Sequence, residues 1–164
     1  MTINVRKGKK EDLTDVLFMI KELAEYENSL HEVEITIEQL QKDGFGNKPY
    51  FSFLIASIEG KAIGFSFYFI RYSTWKGKFL FLEDFYIKEA YRNKGVGSIL
   101  FQETINLCKE LEVNGMMWQV LDWNTSAINF YKKFNSNVSS DWLTGKLTKD
   151  QIKNLVQITK TYQK

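Results

Sequence analysis

The chain is predicted to fold as an α/β domain around a mixed, mostly antiparallel sheet, and three observations predict it. Strand-like runs at 50–58, 61–71 and 79–87 follow one another through the short turns Glu59-Gly60 and Lys76-Gly77, which makes an antiparallel meander. The period then becomes helical over 97–111, and an apolar run follows at 116–120. A strand reached through a helical crossover lies parallel to the strand before it.

Each element has a local reason. Ile3-Asn4-Val5 alternates and reads as a short first strand. Leu13, Val16, Leu17, Ile20, Leu23 and Ala24 recur at helical spacing, giving a first helix with one apolar face that ends near Tyr26-Glu27-Asn28. Thr36 and Gln39 stand at capping-box spacing before a short second helix that stops by Gly44, with Ile35 and Leu40 placed as a hydrophobic staple. In the helix over 97–111 the inward set is Leu100, Phe101, Ile105, Cys108 and Leu111. Met116 to Val120 reads as a buried strand. Asn124 or Thr125 caps a helix holding Ala127, Ile128, Tyr131 and Phe134. Thr148 and Gln151 form a second capping box, ahead of a last helix with Ile152, Leu155 and Val156. No repeat, low-complexity segment or linker interrupts the chain, so a single domain over residues 1–164 is expected.

Composition narrows the classes of function. The chain is 44% hydrophobic and 26% charged, as a globular domain should be. Its 22 basic and 20 acidic side chains nearly cancel, which argues against a nucleic-acid partner. No apolar run approaches the ~20 residues of a membrane span, and the segment from Met1 to Arg6 lacks the apolar core of a signal peptide. Cys108 is the single cysteine, which suits a reducing compartment. A cytoplasmic location is therefore expected, with neither nucleic acid nor membrane as partner. His31 stands alone in a polar connection, and no Cys/His cluster exists, so no metal site is expected.

The densest chemistry lies between Leu82 and Ser98. The strand ending Leu82-Glu83-Asp84-Phe85-Tyr86-Ile87 passes through Lys88-Glu89-Ala90-Tyr91 into Arg92-Asn93-Lys94-Gly95-Val96-Gly97-Ser98 and a helix. A helix start offers unpaired N–H donors and a partial positive charge to an anion such as a pyrophosphate. Gly95 and Gly97 let the backbone come close, Arg92 and Lys94 add positive charge, and Ser98 adds a hydroxyl. The same residues also fit a plain glycine turn with solvated lysines. A dinucleotide fingerprint would need a small residue at Leu100, and a Walker loop would need Gly-Lys-Ser/Thr, which is absent.

Longer stretches carry a resemblance. Arg92-x-x-Gly95-x-Gly97 is similar to the Q/R-x-x-G-x-G/A motif of the GCN5-related N-acetyltransferases, and the order of elements is similar too. Within them the chain resembles the spermidine/spermine (diamine) acetyltransferase group. The resemblance runs through Ile20 to Ala24, Tyr26-Glu27, Asp43 to Gly46, Leu82 to Phe85, Tyr91-Arg92, Gly95 to Ser98, Trp123-Asn124 and Ser126 to Lys132. It implies a sheet splayed between the fourth and fifth strands, flanked by helices, with an acetyl group entering the gap. It implies acetyl-CoA as co-substrate, held by Phe85, Tyr86 and Ile87, by Arg92, Asn93, Lys94, Gly95, Val96, Gly97 and Ser98, and by Asn124, Thr125, Ser126, Ala127 and Tyr131. It also implies a homodimer.

Amide formation from a thioester needs an unprotonated amine, whereas an alkyl amine is mostly charged below its pKa near ~10. A carboxylate can hold the ammonium and take its proton. The resemblance makes Glu83 the candidate base. A buried glutamate there would have its pKa raised toward neutrality. Strand alternation puts Asp84 on the opposite face from Glu83. The competing role for either is an ordinary edge salt bridge. Tyr131 by periodicity alone is helix core, and the resemblance places it beside the CoA sulfur as proton donor to the leaving thiolate. The resemblance also implies that Tyr26 and Glu27 line an amine channel. Trp75, Met117, Trp118, Gln119, Asp141 and Trp142 are further candidates near the amine. Cys108, mid-helix on an apolar face, reads as a packed thiol.

The chain departs from the group at three positions. Ser73 replaces an acidic residue, Met117 replaces a histidine on the fifth strand, and Asn135 replaces a glycine four residues after the tyrosine. Asn tolerates the left-handed conformation at a helix end. The other two remove polar groups from the amine site and turn the expected acceptor from spermine toward a shorter diamine, a thialysine-like amino acid or another small primary amine. The expected activity is acetyl transfer from acetyl-CoA to such an amine in a ternary complex. The alternatives are acetylation of protein N-termini or lysines, and a non-catalytic acyl-CoA sensor.

Overall fold

The computed structural model describes residues 2–161, with side chains described through residue 155. Backbone packing divides the chain into two units, one ending at Gln119 and one beginning at Val120. The first holds a five-stranded sheet in the order β1-β2-β3-β4-β5. Its strands are β1 (Asn4–Lys7), β2 (Ser52–Ile58), β3 (Lys61–Ser73), β4 (Gly77–Ile87) and β5 (Met116–Trp118). The first three pairings, β1–β2, β2–β3 and β3–β4, are antiparallel, and β4–β5 is parallel, as the crossover requires. Helices α1 (Leu13–Tyr26), α2 (Ile37–Phe45) and α3 (Val96–Glu110) complete the first unit. The second holds α4 (Thr125–Lys132) and α5 (Lys149–Thr161).

Turn chemistry sets the meander. Glu59 (φ 50°) and Gly60 (φ 77°) are both left-handed, the pair of conformations that a tight two-residue hairpin needs. At the next turn Gly77 has φ 83°, and an added Cβ would press on the Asn114 side chain. Both strands of this second hairpin run two residues further toward the turn than periodicity indicates, to Ser73 and from Gly77. Tyr50 and Phe51 stay outside β2, and the Tyr50 N–H donates to Asp43 O at 2.8 Å.

Two helices cover one face of the sheet and the third covers the other. On the first face Leu13, Val16, Met19, Leu40, Phe53, Ile55, Phe65 and Tyr86 form one buried cluster, with Leu17, Ile20 and Leu23 packed against it. Leu13 enters this core through a turn held by Arg6, whose guanidinium grips Asp12 at 2.6 and 2.7 Å. This bidentate pair raises the arginine pKa and lowers that of the aspartate. Thr36 caps α2, its hydroxyl accepting from Gln39 N at 3.2 Å. The reciprocal half of that capping box is absent, because the Gln39 side chain turns forward to Asp43. The box at α5 is complete, with Thr148 N donating to Gln151 Oε1 and Gln151 N to Thr148 Oγ1. Ile152 and Leu155 on α5 are exposed, and the side chain of Val156 lies outside the described residues.

On the second face the inward stripe of α3 is Val96, Leu100, Phe101, Thr104 and Leu107. Periodicity over apolar residues alone rotates this stripe, because it counts Ile105, Cys108 and Leu111, which are only half-buried. Thr104 points inward because β3 offers it a partner: the Ser66 and Thr104 hydroxyls lie 2.9 Å apart, both fully buried. Thr104 donates to Leu100 O at 2.9 Å, so Ser66 must be the donor in the pair. The fifth strand is three residues rather than five. It is half-buried rather than buried, with Met117 41% exposed, because β4 is its only partner among the described strands.

Thr104→Val keeps the shape but orphans the Ser66 hydroxyl inside the core, at a cost of about 1–3 kcal/mol. Urea unfolding should show this loss, and the double change Ser66→Ala with Thr104→Val should recover most of it. Additive losses in the pair would remove the hydrogen bond as the cause.

Candidate active site

The sheet opens where chemistry was expected. Pairing of β4 with β5 is confined to Leu80↔Met116, Phe81↔Met117 and Leu82↔Trp118. From Glu83 to Ile87 β4 keeps β3 on one side, and no described strand pairs on the other. Alternate residues of this stretch therefore turn N–H and C=O groups toward an open edge. An extended acyl chain can take those groups as a strand would.

At the same point β4 bulges. Phe67 pairs with Asp84 but Tyr68 pairs with Leu82, so Glu83 is an extra residue. The side-chain phase confirms the slip. Phe81 packs on Phe69 at 5.1 Å and Tyr86 near Phe65 at 6.4 Å between ring centroids; Phe65 lies in the α1-side cluster, and Phe69, four residues along β3, shares its face. Phe81 and Tyr86 are an odd number of residues apart, so strict alternation would separate them. Glu83 and Asp84 thus share one face, and the expectation that they face opposite sides is corrected: alternation fails across a bulge.

Burial divides the two carboxylates. Glu83 is exposed and Asp84 is largely covered. Burial, then the charge of Glu83, then that of Glu27, pushes the Asp84 carboxyl up to about 7. Glu27, immediately after α1, is itself raised by burial. The buried, raised carboxyl expected at Glu83 is therefore found one residue on, at Asp84. Sequence reading also missed Glu22, whose Oε2 is buried without a hydrogen-bond partner. Its spacing of four from Tyr26 on α1 is the signal that was available.

The anion loop is built from backbone. Asn93 (φ 58°) and Gly95 (φ 82°) are left-handed, and Gly95 caps α3 with no side chain to occupy its first N–H groups. Val96 is fully buried and anchors the helix start. Gly97 is half-buried and Ser98 exposed. The basic side chains do not project as free charge. Arg92 Nε donates to Ile87 O at 2.9 Å, and Lys94 Nζ donates to Ala90 O at 2.8 Å. Phe85 turns its ring to Phe101 on the α3 side, 5.6 Å between centroids, so any part it plays at the open edge is through its backbone.

The other candidates scatter. Tyr26 is partly exposed beside Glu27. Trp75, 82% exposed, lies in the β3–β4 turn. Gly77, where β4 begins, is already ~20 Å along the strand from Glu83 by strand rise, so the first unit does not bring Trp75 to the carboxylates. Trp118 packs its ring edge-on to Phe101, and Gln119 is exposed. In the second unit Asn124 caps α4, accepting from Ala127 N at 3.1 Å. Thr125 and Ser126 are exposed at the helix start, while Tyr131 is buried beside Phe130. Asn135 is left-handed, φ 56°, as a helix end allows. Asp141 and Trp142 are exposed in an irregular stretch. His31 is exposed near Glu32. A cavity of about 140 Å³ lies elsewhere, among Gly8, Gly44, Phe51 and Phe53, and holds none of these residues.

A strand that loses its neighbour, a covered carboxyl at Asp84 that holds a proton near neutrality and a bare helix start one loop later suit the joining of an amine to an activated acyl group. The class is that of the N-acyltransferases. The family model described as "Acetyltransferase (GNAT) family" matches residues 16–135, and the chain belongs to that family of acetyltransferases. It is 33% identical over 162 residues to the thialysine N-epsilon-acetyltransferase of Mus musculus, covering 92% of this chain and 95% of the relative. It is 37% identical over 134 residues to the spermidine/spermine N(1)-acetyltransferase-like protein 1 of Homo sapiens, covering 77% of this chain and 19% of that one. Among solved structures an aminoglycoside acetyltransferase from an uncultured soil metagenomic sample superposes with TM-score 0.74 at 16% identity, covering 89% of this chain and 95% of that chain. That likeness is one of fold.

The raised carboxyl carries a stability prediction. Below about pH 4, Asp84 is protonated in the folded and unfolded chain alike. As pH rises through about 7 the folded chain must ionise a covered group, and that share of stability is lost. Asp84→Asn should therefore stabilise the fold at pH 8, by on the order of 2 kcal/mol, and give no such gain at pH 4. Thermal melts at the two pH values check it. An equal effect at both would mean that Asp84 has an ordinary pKa.

Proposed function

We propose that this acetyltransferase moves the acetyl group of acetyl-CoA to the primary amine of a small molecule by direct attack in a ternary complex. The observation that carries the reading is the carboxylate cluster of Glu27, Glu83 and Asp84 where β4 loses β5. An ammonium group is drawn to that charge. Asp84, poised near neutrality, accepts the proton that frees the amine lone pair. Glu83, exposed on the same face, orients the incoming cation.

The thioester would lie along the open edge of β4, where a backbone N–H can meet the oxyanion. The pyrophosphate would sit on the N–H groups at the start of α3. The amine nitrogen bonds to the carbonyl carbon, the C–S bond breaks and the thiolate takes the Tyr131 proton, while the new amide nitrogen sheds its extra proton to solvent, from which the tyrosinate is reprotonated. Substrate names among the relatives, thialysine and spermidine/spermine, support a small amine as acceptor. Met117, paired with Phe81 two residues before Glu83, favours a shorter diamine or a thialysine-like amino acid over spermine. The reading takes residues 1–164 as one catalytic domain, acting in the cytoplasm as a homodimer.

Acetyl-CoA with a panel of amines, followed by release of free thiol, should show turnover on a diamine or thialysine. Tight acetyl-CoA binding with no turnover on any small amine would sink the proposal. The pH profile of kcat/KM should rise through about 7. Asp84→Asn should abolish that limb and lower kcat about 10²–10⁴-fold. Glu83→Gln should chiefly raise KM, and an unmoved pH limb in Asp84→Asn would return the base to Glu83. Tyr131→Phe should lower kcat about 10²-fold with CoA affinity unchanged. Equal loss of both would make Tyr131 a packing residue.

A further inference from the structure

Arg92 opens the glycine loop, where a cation is expected to meet phosphate, yet its guanidinium is engaged on the other side. Nε donates to the carbonyl of Ile87, the last residue of β4, at 2.9 Å. The guanidinium carbon lies 5.4 Å from the Tyr26 ring and 5.3 Å from the Tyr86 ring, within cation–π range of both. The three partners belong to different parts of the candidate site. Tyr26 ends α1 and precedes Glu27. Tyr86 lies two residues beyond Asp84 on the same face of β4. Ile87 closes the stretch that has no β5 beside it.

We propose that Arg92 is a positioning residue that pins the end of the open β4 segment to the end of α1, and so sets the spacing of Glu27 from Asp84. The inference rests on the reading of that cluster as the amine site. A strand missing one neighbour has lost half of its lateral hydrogen bonds, and it needs another tether if its side chains are to hold their places. Arg92 supplies one from the loop. A planar guanidinium can face two rings while its Nε reaches a carbonyl, and the compact ammonium of lysine cannot do all three. Arg92 in this role governs affinity for the amine more than affinity for the coenzyme. Phosphate binding falls to the backbone N–H groups at the start of α3.

The test pairs Arg92→Lys, which keeps the charge, with Tyr26→Leu, which removes one ring and leaves the arginine. Hydrogen exchange of the unliganded protein reads the tether directly. The reporting amides are Ser29 N, bonded to Ala24 O at 2.8 Å after α1, and Lys88 N, bonded to Ile63 O at 2.9 Å after β4. Both variants should speed exchange at both ends, and Arg92→Lys should raise the amine KM about tenfold, the factor that one lost charge-assisted hydrogen bond represents. The dissociation constant for CoA, measured by calorimetry, should stay within about threefold, since the charge is kept. Unchanged exchange in both variants overturns the tether, whatever amine the enzyme uses. So does an Arg92→Lys protein that loses CoA affinity at an unchanged amine KM. Failure of the wild type to bind CoA would instead strike the reading of the loop, and the exchange result would still decide the tether.

Discussion

At Glu83 the β4 strand carries a residue with no opposite number on β3, and this bulge falls one residue after the last pairing with β5, at Leu82. Either feature alone would do little. A bulge between two paired neighbours re-aims side chains but leaves no free edge, and a free edge on a regular strand would send Glu83 and Asp84 to opposite faces. Together they put two consecutive carboxylates on one face, beside backbone groups with no strand to bond to. The loop after Ile87 and the N-terminus of α3 continue directly from that segment.

Holding such a segment costs stability, and the cores on both faces offset it. Asp84 is largely covered, and burial, then the charges of Glu83 and Glu27, push its pKa up to about 7. Tyr86, two residues on, is seated in the cluster with Phe65, Val16 and Met19. Phe85 between them packs edge-on against Phe101 of α3. Core anchors therefore follow Asp84 directly along β4, and a carboxyl that water would ionise is held by its neighbours' packing. Burial also gives Asp84 a protonation equilibrium in the range where an amine must lose a proton.

Local patterns in the sequence carried most of the fold. Turns that need left-handed residues, caps on α2, α4 and α5, and the antiparallel meander all depend on near neighbours in sequence, and they stand where periodicity puts them. What was not legible depends on distant partners. Thr104 is polar and reads as surface until Ser66 on β3 is placed opposite it. That Asp84 rather than Glu83 is the covered carboxyl, on a face shared with Glu83, follows from an insertion relative to β3, and no alternation rule can see the partner strand's register. Arg92 reads as a positive charge in the loop, and a charge does not say which of its neighbours it will meet, here the Ile87 carbonyl and two tyrosine rings. The family resemblance covered the same residues without the register, so it singled out Glu83 as the base while strand alternation set Asp84 on the other face.

The inward turn of Arg92 and Lys94 also changes how the glycine loop must be understood. A loop that bound phosphate through free lysine and arginine heads would place it loosely, because long side chains reach many positions. Here Arg92 bonds Ile87 O and Lys94 bonds Ala90 O, so both basic residues stiffen the turn that presents Gly95 and the N–H groups of α3. Those N–H groups are fixed by the helix, and Val96, fully buried, fixes the helix to the core. An anion held there would be registered against β4 through rigid parts alone. Acetyl transfer demands that registration, since the acyl carbon and the amine nitrogen must meet within a few tenths of an ångström whichever amine arrives.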